Sequence, residues 1–177
     1  MTRIHGRVAV AAAVVAVVLA GAGWRAWAAT VLIAGVGYGA CVVEVRERRI
    51  PTRLVAIGAV GIFDVVVAAG THGRSPAVAS SAVLGVVLFA GALGLAHLTN
   101  PAGMGVGYVR LAAFLGATCA VATNTVVGAF AAGVIASVAA AAAMILTHRR
   151  RMVFAPFLVG AAAAVAVTAG IATHLWS

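Results

Sequence analysis

Three side chains of this 177-residue chain carry carboxylates, Glu44, Glu47 and Asp64, and the first two are three residues apart. Two carboxylates within a few ångströms of each other can hydrolyse an amide, because both cannot ionise at once. One keeps its proton and polarises the scissile carbonyl while the other activates water. Glu44 and Glu47 would share a face of a helix, but Arg46, Arg48, Arg49 and Arg53 surround them, and ion pairing is the plainer use of Glu47. A second unusual segment runs Asn100-Pro-Ala-Gly-Met-Gly-Val-Gly-Tyr-Val-Arg-Leu111, with Gly103, Gly105 and Gly107 at alternate positions. Glycines so spaced permit a tight entry turn or close approach of another group to the backbone. The five histidines (His5, His72, His97, His148, His174) are scattered without metal-ligand spacing, although His97 precedes the glycine segment and would border the same cleft. Cys41 and Cys119 form no CxxC pair, which points to neither a disulfide framework nor a zinc site. No phosphate-binding loop is present, and Gly103–Gly107 lacks the strand context of a dinucleotide site. No metal or cofactor is expected.

The elements that must hold these residues follow from composition. Sixty-four per cent of the chain is apolar and 8% is charged, against about 25% charged in an ordinary soluble domain. There are too few polar side chains to coat a soluble fold of this length, so the outer surface is expected to meet lipid. A membrane span needs about 20 apolar residues to cross ~30 Å of hydrocarbon. Seven runs approach that length: Val8–Gly23, Ala26–Val43, Leu54–Gly70, Ala77–Leu98, Val109–Ala122, Thr125–Leu146 and Pro156–Leu175. The expected fold is therefore all-α, a single polytopic transmembrane bundle over residues 1–177, and abundant Gly and Ala suit close helix packing in lipid. The start of the chain also has features of a signal peptide; cleavage would leave six spans, whereas Trp24 and Trp27 read as the interfacial anchor of an uncleaved one.

All twelve basic residues are arginines, and ten of them (Arg3, Arg7, Arg46, Arg48, Arg49, Arg53, Arg110, Arg149, Arg150, Arg151) fall on alternate connections, leaving Arg25 and Arg74 on the others. This is a positive-inside pattern that puts the amino terminus in the cytoplasm and the carboxyl terminus outside. It also accounts for the net charge of +9 without nucleic acid, for which a basic stripe with interleaved aromatics is missing. The same parity gathers Glu44–Arg53, Thr99–Arg110 and Thr147–Ala155 at the cytoplasmic face.

Two of these connections resemble the motifs of type IV prepilin peptidases, membrane aspartic endopeptidases that remove the leader of prepilins. Glu44-Val-Arg-Glu-Arg-Arg-Ile-Pro51-Thr-Arg-Leu54 is similar to the family's first motif, with Glu44 at the position of its first aspartate and Thr52 at a usual asparagine. Gly105-Val-Gly107-Tyr108-Val-Arg110-Leu111 is similar to its Gly-x-Gly-Asp-x-Lys-Leu motif, with Tyr108 at the second aspartate and Arg110 at the lysine. Phe154-Ala-Pro156-Phe157-Leu-Val-Gly160-Ala looks like the entry to the family's last span. The resemblance covers residues 30–165. It implies an active cleft between the inner ends of the second and fifth runs, with Glu44 supplying the remaining carboxylate, Gly105 and Gly107 admitting substrate backbone, and Pro51 and Arg110 in motif positions.

The resemblance also implies a prepilin or another short-leader membrane substrate, and no methyl transfer, because the family's paired-CxxC segment is absent. Both departures fall on the reacting residues. Glu44 carries its carboxylate one methylene further out, and the phenol of Tyr108 donates a hydrogen bond but is a poor base at neutral pH. Aspartic-type hydrolysis is therefore expected to be weak or lost. A non-catalytic binder of pilin-like helices or pilus assembly partners is the alternative, and no pattern sets an oligomeric state. Asp64 lies within the third run, about 15 Å from Leu54 at 1.5 Å per residue. It is expected to be buried and neutral or hydrogen-bonded, with a small transporter or channel using Asp64 as a further alternative.

Overall fold

The computed structural model describes residues 24–69, 75–99, 105–123, 125–147 and 154–175. Six helices make up this part of the chain, with no strand among the described residues. They are α1 (Trp24–Glu47), α2 (Thr52–Ala69), α3 (Ser75–Thr99), α4 (Val106–Thr123), α5 (Val126–Thr147) and α6 (Ala155–Leu175). Helix α1 is interrupted by a π-helical turn over Ile33–Gly37. Among the described residues, five helices (α1, α2, α3, α4 and α6) are long and apolar enough to cross a membrane. The chain is an all-α helical bundle built as a membrane protein. The run Val8–Gly23, and with it the signal-peptide question, lies outside the described residues.

Helix α4 sits at the centre. Of its most apolar window 61% is buried inside the bundle, against 28% for α2 and for α3, although it is the least hydropathic of the five. The two facts belong together: a helix wrapped by other helices need not satisfy lipid, so its composition is freer. Every residue from Phe114 to Ala122 is buried, and the Thr118 hydroxyl donates to the Phe114 carbonyl one turn back. The closest approach is between α3 and α4, where a Cβ on Gly85 would collide with the carbonyl oxygen of Gly116, and one on Gly116 with that of Gly85. Glycine at both positions brings two backbones together, which is how helices gain contact when lipid competes for every apolar side chain.

The helix ends are set by local chemistry. Helix α1 stops at Arg48, which adopts a left-handed conformation (φ 52°, ψ 32°) and donates its N–H to the Glu44 carbonyl. A non-glycine residue there costs about 1 kcal/mol or more. Helix α2 opens on Pro51, whose carbonyl accepts from Leu54 N–H (3.1 Å) and Val55 N–H (3.3 Å). Helix α4 opens on Gly105, whose carbonyl accepts from Tyr108 N–H at 3.0 Å. That turn starts the helix at Val106, three residues ahead of the apolar run that marks it in the sequence.

Asp64 is exposed on the outer surface of α2, contrary to the expectation that it is buried. The inner face of α2 is formed by Val55, Gly58, Ile62, Val65 and Ala69, and Asp64 is turned away from them. The physical reason is the placement of the small residues. Gly58 packs against the Phe114 ring and Gly61 against Leu32, so the glycine side of α2 goes inward and the Asp64 side does not.

Candidate functional site

The ends of α1, α4 and α6 meet around the carboxylate of Glu44. This side chain is 2% exposed and is, with Thr118, one of two buried polar side chains among the described residues. A buried carboxylate is costly unless donors surround it, and here three do. The Tyr108 hydroxyl, 64 residues away in sequence, donates to Oε1. Phe154 N–H donates to Oε1 at 3.2 Å, and Ala155 N–H to Oε2 at 3.0 Å. The Tyr108 ring is in turn held edge-on by Phe154, with centroids 6.0 Å apart and planes at 69°.

The two backbone donors belong to the start of α6. The first N–H groups of any helix lack partners within it, and the helix dipole places partial positive charge there. A serine, threonine, aspartate or asparagine usually meets that need from the position before the helix. Phe154 offers no acceptor in its side chain. Glu44 supplies it from another helix, and the remaining donors are settled locally. Pro156 has no N–H, and Phe157 and Leu158 donate to the Phe154 carbonyl at 3.1 and 3.3 Å. The carboxylate of Glu44 therefore caps α6, accepts from Tyr108, and ties three helix ends together.

Motif residues beyond Glu44 and Tyr108 surround this clasp. Arg110 donates from Nη1 to Thr52 Oγ1 at 2.7 Å, linking the start of α4 to the start of α2 across an exposed gap. Gly107 lies against the loop that carries Pro51, where a Cβ would stand 2.9 Å from Ile50 Cβ. The glycine thus accommodates the protein's own Ile50, rather than the substrate backbone that the resemblance implies. Among the described residues Gly105 has no neighbour that a Cβ would meet. Glu47 forms an ion pair with Arg49 at 2.6 Å, with both side chains well exposed, and is not part of the clasp. His97 lies half-buried in the last turn of α3. Cys41 and Cys119 are free thiols. Among the described residues no cluster of three or more His, Cys, Asp or Glu is arranged to hold a metal ion.

The backbone donors of Phe154 and Ala155 carry no residue signature, which is why motif reading misses them. One signal was available: Pro156 marks a helix start, yet neither Phe154 nor Ala155 can cap it, so an acceptor must come from elsewhere in the fold.

As arranged, the site holds one carboxylate with both oxygens engaged by donors. A hydrolytic dyad needs a second acid sharing a proton with the first, and an oxygen free to deprotonate water. Tyr108 meets Glu44 as a hydrogen-bond donor and not as a second acid, and burial of Glu44 keeps bulk water from its oxygens. The geometry serves as a structural lock. No family model matches the chain, and no curated protein or solved structure matches it either.

Proposed function

We infer that the chain is a prepilin-peptidase-like integral membrane protein in which the proteolytic pair has become a hydrogen-bonded clasp, leaving little or no endopeptidase activity. The observation that carries this reading is the bond from Tyr108 to Glu44. It joins the two segments that resemble the family's motifs, at the two positions where the family keeps its aspartates, and Arg110 and Thr52 join the same segments alongside. The arginine distribution supports an inner-face location for this end of the bundle in the plasma membrane, with the amino terminus in the cytoplasm. In that setting the protein retains the family's frame for a pilin-like helix or a pilus assembly partner without the means to cut it.

A leader-cleavage assay in membranes tests the reading, using the chain itself, Glu44→Gln, and the double variant Glu44→Asp/Tyr108→Asp, each checked for folding by size-exclusion chromatography. Cleavage by the chain and by Glu44→Gln is expected at background level, with a measurable gain in the double variant. Robust cleavage that disappears in Glu44→Gln would refute the loss of activity. Robust cleavage that survives Glu44→Gln would refute the assignment of the pair.

A further inference from the structure

We propose that the exposed gap between the starts of α2 and α4 holds the phosphate of an anionic phospholipid, with Arg110, Thr52 and Arg53 as its donors. Five arginines lie at this end of the bundle, and all are exposed: Arg46 in the last turn of α1, Arg48 and Arg49 after it, Arg53 in the first turn of α2, and Arg110 near the start of α4. Arg49 pairs with Glu47. The other four have no carboxylate partner among the described residues. Residues outside the described ones cannot supply it, because the whole sequence has three acidic side chains. Glu44 is engaged by Tyr108, Phe154 and Ala155, and Glu47 by Arg49. Asp64 stands twelve residues past Thr52, roughly 18 Å along α2 at 1.5 Å per residue. The four guanidinium groups are left to anions from outside the chain.

Arg110 already fixes part of such a site. Its Nη1 donates to Thr52 Oγ1 at 2.7 Å, which holds the guanidinium beside the start of α2, where Arg53 is the next residue. That bond uses one of several guanidinium donors and a lone pair of Thr52, whose own hydroxyl proton finds no acceptor among the described residues. The gap thus presents positive charge and donors. A phosphodiester, with two unesterified oxygens sharing one negative charge, meets both, and a guanidinium matches such a group through paired hydrogen bonds. Depth sets the source of the phosphate. Thr52 begins one span and Val106 begins another, so the gap stands where hydrocarbon gives way to headgroups, and basic residues at that level attract anionic lipid. A soluble acidic partner would first have to displace those headgroups. The arginine distribution by itself gives only an orientation, whereas the bond from Arg110 to Thr52 makes a site of neighbouring residues. The inference needs only that this end of the bundle meets a membrane surface, and it stands whether or not the chain is a peptidase relative.

The test uses the full chain in detergent, titrated with phosphatidylglycerol or phosphatidylcholine, with retained lipid counted by native mass spectrometry. Tighter retention of phosphatidylglycerol is expected. Arg53→Gln and Arg110→Gln should each weaken it by about fivefold and leave phosphatidylcholine unchanged. Arg110→Lys, which keeps the charge but not the fork, should fall between the parent and Arg110→Gln. Arg53 has no side-chain partner among the described residues, so its variant should melt like the lipid-free parent even if loss of the bond to Thr52 loosens Arg110→Gln. Arg74→Gln, which removes a charge from the connection that follows α2, should retain phosphatidylglycerol as the parent does. Equal retention of the two lipids, an unchanged preference in both Arg53→Gln and Arg110→Gln, or the same loss in Arg74→Gln would each overturn the proposal. So would displacement of the lipid by equimolar inorganic phosphate or polyglutamate, which would give the gap to a soluble anion.

Discussion

Glu44 and Asp64 stand on consecutive helices, twenty residues apart, and their surroundings are opposite. Glu44 is buried among three donors from the starts of two other helices, whereas Asp64 is exposed on the outer side of α2, with no hydrogen-bond partner among the described residues. In lipid a carboxyl group cannot fall back on water, so each acid has to be accommodated by protein. For Glu44 the chain provides the accommodation itself, and the result is a junction of helix ends. Among the described residues nothing does the same for Asp64. Two acids in one bundle therefore do different jobs because donors converge on one and not on the other.

Substitutions at the clasp should have the largest effects. Glu44→Leu fills similar space but leaves Phe154 N–H, Ala155 N–H and the Tyr108 hydroxyl without their acceptor. The expected loss is about 3 kcal/mol or more, seen as a lower midpoint of thermal unfolding in detergent and faster hydrogen exchange at the start of α6. If Glu44→Leu melts like the parent, the contrast between the two acids is void. Tyr108→Phe removes one of the three donors and keeps the ring against Phe154; a smaller loss of about 1–2 kcal/mol is expected, and exchange at Phe154 and Ala155 should change little. The two variants together separate the contribution of the α6 cap from that of the phenol. Glu47→Ala, which breaks only the exposed pair with Arg49, should alter stability by less than about 1 kcal/mol. A large effect there would mean that the loop after α1, and not the buried carboxylate, governs the junction.

The bundle was largely legible because its signal is composition repeated over long windows: the runs beginning near Ala26, Leu54, Ala77, Val109, Thr125 and Pro156 each coincide with a helix, within a few residues at the start. The starts shifted where a single carbonyl does the work, as at Pro51 and Gly105. The two motif-like segments place Glu44 and Tyr108 at corresponding positions, and the structure brings the two side chains into contact. What they form was not legible, since the decisive donors are main-chain groups at Phe154 and Ala155. The orientation of Asp64 was equally hidden. Helix α2 is apolar apart from its first turn and Asp64, and an acid within a span is expected to turn inward, so the sequence points the wrong face to the core, whereas the docking of Gly58 and Gly61 against Phe114 and Leu32 accompanies the orientation found.

The π-helical turn at Ile33–Gly37 has a consequence for how this junction is aimed. A π turn accommodates one residue more than the α-helix around it, which amounts to about 100° of rotation about the axis for everything downstream. The half of α1 that begins at Trp24 and the half that ends at Glu47 thus follow separate azimuths, and the second is the one that directs Glu44 at the start of α6. Rewinding Ile33–Gly37 as plain α-helix with every residue kept would leave both halves helical and both equally greasy. It would nonetheless swing the carboxylate about a quarter-turn aside, whereas deleting one residue from the turn would restore the α-helix and keep the aim, so the compass bearing of the acid is set about ten residues upstream of it, by one extra residue in the winding.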